Sequence, residues 1–206
     1  MITEQQRKER LLGIGGSDIG IILGLSNYKT PYQLYLEKIG EIDSVYEETP
    51  LQYWGHQLEP VIRNEFAKRN NVSVEIPESF VHPFYDFLRG NLDGFIPSLN
   101  AVLEVKCSNQ FMAHEWGDIG SDVIPMQYLV QVAHYCAITN ADCAYIAVLI
   151  GGWDYREFKY TRDMQLEETL IEAAKTFWNC VQTQTPPEPT TQVDLRLMFP
   201  KHDPEK

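Results

Sequence analysis

Two short apolar runs, Asn91–Ile96 and Ala101–Lys106, flank the segment Pro97-Ser98-Leu99-Asn100 and read as a β-hairpin with three charged residues in its arms. Side chains alternate along a strand, so Leu103, Val105 and Cys107 share one face of the second arm while Glu104 and Lys106 share the other. Asp93 stands eleven residues before Glu104 and can return across the hairpin to the same place. Two carboxylates and an ammonium on one sheet face make a site for a hard cation with a charged helper. A Glu-x-Lys pair taken alone reads instead as a solvated edge with cross-strand pairing.

The rest of the chain alternates helical and extended patterns. Thr3 to Arg10 reads as a short helix capped by Thr3. The glycine-rich Gly13–Gly20 leads into a helix to about Leu23, with Ser17 or Asp18 as its cap. It lacks the Lys-Ser/Thr of a phosphate loop and follows no strand. Thr30 caps a second helix with Pro31 at its first position, running Tyr32 to Ile39. Residues 41–50 are acidic and read as a mobile loop. Leu58, Val61, Ile62 and Phe66 keep helical spacing within Tyr53–Lys68. Glu59 borders that apolar stripe. It reads either as an i,i+4 partner of Arg63 on a solvated face or as a carboxylate delivered to the sheet.

Val72–Glu75 and Ser79–His82 read as strands before the hairpin, and Phe111–Ile124 as a loop with partial helix. Pro125 opens a helix over Met126–Ala137. Ala141–Ile150 is a continuous apolar strand suited to cover on both faces. Gly151-Gly152 turns the chain into an antiparallel strand, Trp153–Tyr160, and a last amphipathic helix spans Met164–Val181.

A chain of 206 residues accommodates one well-buried α/β domain. The boundaries read as a single domain over 1–185, with a core at about 10–160 plus the C-terminal helix. Pro186-Pro187-Glu188-Pro189 then opens a polar tail, 186–206, that is disordered or reaches a neighbouring subunit. A net charge of −12 counts against a generic nucleic-acid coat but leaves room for an enzyme with a limited basic groove. No run is long enough for a membrane span and the N-terminus lacks the apolar stretch of a signal peptide, so a cytoplasmic protein is expected. Four cysteines show no Cys-x-x-Cys pairing and no zinc or iron–sulfur spacing. Cys107, Cys136 and Cys143 read as buried thiols.

The order helix with Glu59, strand with Asp93, strand with Glu104-Val105-Lys106, helix with Gln131 resembles the PD-(D/E)XK nuclease superfamily. More narrowly, the chain resembles the phage-type recombination exonucleases of the lambda exonuclease and YqaJ group. Five stretches carry the match: Gly13–Ile19, Gly24–Pro31, Gly55–Pro60, Leu92–Gly94 and Tyr128–Tyr135. Leu92 stands where the superfamily name has proline, a substitution familiar within it.

The resemblance implies a restriction-endonuclease-like α/β (α+β) core, a mixed central sheet flanked by helices. It implies that Asp93, Glu104 and the backbone carbonyl of Val105 ligate Mg²⁺ or Mn²⁺, with Glu59 at a second metal. Lys106 would orient or deprotonate the attacking water, and Gln131 would position the scissile phosphate or the water. Arg10 and Ser17 resemble a pocket for the 5′-phosphate of the digested strand. Tyr128 and Trp116 are candidate DNA contacts, ranked behind plain packing, and Phe111 is paired with Trp116 in both readings.

By the same resemblance the protein digests linear double-stranded DNA 5′→3′. It leaves a 3′ overhang for a single-strand annealing recombinase, works as a ring of three, and is encoded by a phage or prophage in a bacterial cell. The rival readings are a structure-specific endonuclease on the same core and a catalytically silent DNA-binding or scaffold protein.

Overall fold

Four segments rich in apolar residues pair into the main sheet in the computed structural model of the chain, which describes residues 10–42, 49–119 and 121–199. Two short strands, β1 (Phe80–Val81) and β2 (Arg89–Gly90), pair with each other apart from it. The main sheet comprises β3 (Gly94–Ile96), β4 (Ala101–Ser108), β5 (Cys143–Ile150) and β6 (Asp154–Thr161), in that spatial order. β3–β4 and β5–β6 are antiparallel and β4–β5 is parallel, so the sheet is mixed. The parallel pair needs a crossover. The crossover carries a helix over Met126–Thr139. Gly151 and Gly152 take positive φ values of 62° and 86°, which is what turns β5 tightly into β6.

The helices that lie wholly within the described residues are α1 (Gly16–Ile22), α2 (Pro31–Lys38), α3 (Pro50–Asn70), α4 (Met126–Thr139), α5 (Met164–Thr183) and α6 (Gln192–Met198). Val102, Ala144, Ile146, Val148 and Phe158 face one core with residues of α1, α2, α4 and α5. Leu103, Val105, Cys143 and Ala147 face a second core with Ile62 and Phe66 of α3. The sheet is therefore covered on both faces, and the alternation along β4 sorts its side chains between them.

Several boundaries differ from those expected. The first arm of the hairpin is shorter: Asn91–Asp93 precede β3, and Pro97–Leu99 form a 3₁₀ turn ended by Asn100 at φ 45°. Val72–Glu75 is not a strand. Only Glu75 bonds to Phe95, through both main-chain groups at 2.8 Å. Val72 and Val74 pack toward the α3 core, and Pro77, two residues on, has no N–H to extend the ladder. Helix α1 is capped by Gly15, whose N–H donates to Asp18 at the third helical position, rather than by Ser17 or Asp18. Thr30 and Pro31 open α2 as expected, with Thr30 accepting from Gln33 N–H at 3.1 Å.

The tail differs most. Asp194 in α6 is wholly buried and accepts from the Thr30 hydroxyl at 2.6 Å, so the segment through α6 is ordered against the N-terminal cap of α2. Cys136 and Cys143 are buried free thiols, whereas Cys107 and Cys180 are half-buried. The expected helix over Thr3–Arg10 up to its last residue, most of the 41–50 loop, and the last seven residues of the tail lie outside the described residues.

Candidate active site

Asp93 lies one residue before β3, and the register that pairs Gly94 with Leu103 sets it opposite Glu104. Its Oδ2 accepts the Val105 N–H at 2.8 Å. The side chain thus takes a ladder donor on β4 just where β3 has not yet begun.

Glu104 points to the α4 side of the sheet, in a row of positions that Val102 occupies with an apolar side chain. It is 1 % exposed. A buried carboxylate costs several kcal/mol unless it is paired. Its Oε1 accepts from Lys106 Nζ at 2.5 Å and from Gln131 Nε2 at 2.7 Å. Its Oε2 is buried and has no hydrogen-bond partner among the described residues. Lys106 carries a roof: its Nζ lies 5.0 Å from the centre of the Tyr128 ring. Trp116 in turn stacks on Tyr128 at 5.3 Å and 17°.

The electrostatics follow from this crowding. Burial pushes the Asp93 carboxyl well above its usual range, and the Glu104 charge pushes the same way. Burial also raises Glu104, against the opposing pull of Lys106. Burial alone would lower Lys106, but Glu104 and Asp93 outweigh it and hold the ammonium above its ordinary value. With both ionised, Asp93 and Glu104 would carry one negative charge more than the Lys106 ammonium balances.

Glu59 approaches from α3. It is ion-paired to Arg63 at 2.8 Å, and the same guanidinium nitrogen donates to the main-chain oxygen of Asp93 at 2.7 Å. The i,i+4 pair is therefore formed, but Arg63 is 8 % exposed, and the pair ties α3 to the hairpin instead of decorating a solvated face.

Among the described residues, no group of three or more His, Cys, Asp and Glu side chains is placed to hold a metal. Mg²⁺ does not require one, since it is commonly held by one or two carboxylates and keeps several waters. A half-buried carboxylate, Asp93, and a buried one, Glu104, whose Oε2 has no partner among the described residues, stand beside the main chain of Val105 and fit such an ion.

Of the other residues singled out, Gln131 is brought to Glu104, while Arg10 and Ser17 are exposed on the surface around the start of α1. That start is pressed against α4: a Cβ on Gly16 would stand 2.5 Å from the Tyr135 ring. Trp116 is 4 % exposed and packed between Tyr128 and Phe158, so it belongs to the core and offers no free face to a base. Tyr128 is half-buried beneath it. Phe111, by contrast, is 77 % exposed and is not a core aromatic.

Two residues of the cluster are missing from the set expected from the sequence. Arg63 is one. Tyr135 is the other, its hydroxyl accepting from Gln131 Nε2 at 3.1 Å. The spacing Gln131 to Tyr135 is i,i+4 on one helix, and that was the available signal.

A model of the YqaJ-like viral recombinase domain matches residues 5–142. The uncharacterized protein YqaJ of Bacillus subtilis (strain 168) is 37% identical over 174 residues, covering 83% of this chain and 54% of that protein. The chain thus spans about half the length of this curated relative. Among solved structures, the alkaline exonuclease LHK-Exo from Laribacter hongkongensis superposes with a TM-score of 0.74 at 17% identity, covering 88% of this chain and 94% of that one. LHK-Exo in complex with dAMP gives the same TM-score and identity over 98% and 100% of the two chains. These likenesses establish the restriction-endonuclease-like fold.

Proposed function

The chain belongs to the YqaJ-like viral recombinase domain family, and on that premise we propose that it is a Mg²⁺-dependent exonuclease of linear double-stranded DNA. The reading continues as 5′→3′ digestion that leaves a 3′ overhang for a single-strand annealing recombinase, by a ring of three subunits. The observation that carries the metal-dependent nuclease reading is the buried Oε2 of Glu104, unpartnered among the described residues, beside Asp93 and Lys106. A stability argument alone would not retain such an atom, because an unmet buried acceptor costs about 1–3 kcal/mol. LHK-Exo, crystallised with dAMP, offers a precedent for a nucleotide on this fold.

In this reading Asp93, Glu104 and the Val105 carbonyl hold Mg²⁺ or Mn²⁺, and Glu59 serves a second ion. A bound divalent ion lowers the pKa of water and offsets charge on phosphoryl oxygens. The chain's own residues do the rest. Gln131 fixes the orientation of the Glu104 carboxylate. Lys106, kept protonated by Glu104 and Asp93, is the positive charge available to a developing phosphoryl anion. Arg10, six residues before α1, and Ser17, in its first turn, would receive a terminal phosphate in this reading.

The test is a linear duplex with 5′-phosphates offered with Mg²⁺ or with EDTA, beside a covalently closed circle. Loss of 5′ nucleotides from the linear duplex in Mg²⁺ alone, with the circle intact, is the expected result. Cleavage of the circle would replace the exonuclease with an endonuclease, and no cleavage of either would remove the nuclease reading.

A further inference from the structure

We infer that the first turns of α3, around Gly55 and the Tyr53–Trp54 pair, are the seat of one DNA strand: Gly55 admits its sugar–phosphate backbone and Trp54 stacks on a base. This rests on the nuclease reading and deepens it.

Gly55 is the first observation. It lies inside α3, where glycine is the poorest helix former after proline. Other glycines of the chain have visible reasons. Gly16 and Gly90 are pressed against Tyr135, and Gly24, Gly40, Gly151 and Gly152 take positive φ. Gly55 has neither. Among the described residues, nothing lies within 4 Å of where its Cβ would stand. A helical glycine with free space beside it is suited to close approach by a ligand's backbone. It sits one turn before Glu59, on the same helical face.

The second observation is aromatic. Tyr53 and Trp54 are 47% and 59% exposed and meet edge to face with centroids 5.5 Å apart. Both are held on a helix whose start is fixed by the Thr49–Gln52 capping box and by Pro50, so the ledge is pre-set without packing from the core. Exposed aromatic rings on a rigid element serve as stacking platforms for unpaired bases.

Charge agrees. The chain has 29 acidic residues, yet Thr49 to Leu58 contains none. Within that stretch the sequence sets no carboxylate against a phosphate backbone; Glu47 and Glu48 precede it, and Glu59, which the nuclease reading assigns to a metal, follows it.

The test compares wild type, Gly55→Ala and Trp54→Ala in the full chain. Fluorescence anisotropy in EDTA reads affinity for a 5′-phosphorylated duplex with a short single-stranded end, and digestion in Mg²⁺ and Tm are read alongside. Alanine fills empty space and favours helix, so Gly55→Ala should raise Tm by about 2–4 °C while weakening DNA affinity by about ten-fold or more. Trp54→Ala should weaken affinity by about ten-fold with Tm unchanged, since the ring is exposed. A raised Tm with wild-type affinity in Gly55→Ala overturns the seat. If Gly55→Ala instead lowers Tm, Trp54→Ala decides, and wild-type affinity there overturns the seat as well. A wild type that neither binds nor digests the duplex overturns the nuclease reading and the seat with it. An active wild type with indifferent variants overturns the seat alone.

Discussion

Gln131 donates its side-chain amide to Oε1 of Glu104 at 2.7 Å, joining helix α4 to strand β4 across the middle of the cluster. That bond leaves Oε2 as the one oxygen of the carboxylate without a partner among the described residues. Gln131→Ala should free the carboxylate to rotate and weaken both Mn²⁺ affinity and DNA digestion by about 10–100-fold, the usual cost of losing a group that orients a metal ligand. Calorimetric titration of Mn²⁺ into the variant checks the first effect independently of activity.

Histidine 134 should make stability depend on pH. Burial lowers it from its usual value to about 4, while its Nε2 faces the Arg89 carbonyl at 2.9 Å. As pH falls below about 6.5 the unfolded chain takes up a proton that the folded chain refuses until about 4. The associated stability is thus complete above about 6.5, declines through the window, and is reduced by about 2 kcal/mol at pH 5. Urea unfolding at pH 7 and pH 5 should show a loss smaller by about that amount in His134→Gln.

The tail should be part of the cooperative fold. Asp194 accepts from Thr30 Oγ1, from the N–H groups of Thr190 and Thr191 and from the Thr190 hydroxyl, at 2.6–3.1 Å. Asp194→Ala leaves buried donors unmet and should cost about 1–3 kcal/mol. Hydrogen exchange should show faster exchange in α6 and at the start of α2.

Close packing at the start of α1 should be intolerant of volume. In Gly16→Ala the new Cβ stands 2.5 Å from one Tyr135 ring carbon and 2.8 Å from its hydroxyl. A cost of about 1–3 kcal/mol is expected from overpacking, measured by chemical denaturation.

Much of this architecture is legible in the sequence, for reasons that differ by residue. Strand β4 is readable because Leu103 and Val105 alternate with Glu104 and Lys106, and the two faces do meet different cores. Thr30-Pro31 fixes the start of α2 by purely local chemistry. The burial of Glu104 is not readable from the strand, since Glu-x-Lys looks the same on a solvated edge. Gln131, 27 residues away, makes the difference. Arg63 carries an ordinary i,i+4 spacing, and only the fold reveals that it also holds the main chain of Asp93. Asp194 is the extreme case, with its Thr30 partner 164 residues distant. The exposed Phe111 and buried Trp116 cannot be sorted by composition, because both are aromatic residues of one irregular segment.

The proposed function stands or falls with Asp93 and Glu104 as a divalent-metal site for phosphodiester hydrolysis. Digestion of a linear duplex in Mg²⁺ by wild type and by Asp93→Ala, with duplex affinity measured in parallel, tests it most directly. A loss of digestion of about a thousand-fold or more with affinity retained is the expected result. Digestion by Asp93→Ala at the wild-type rate would contradict it.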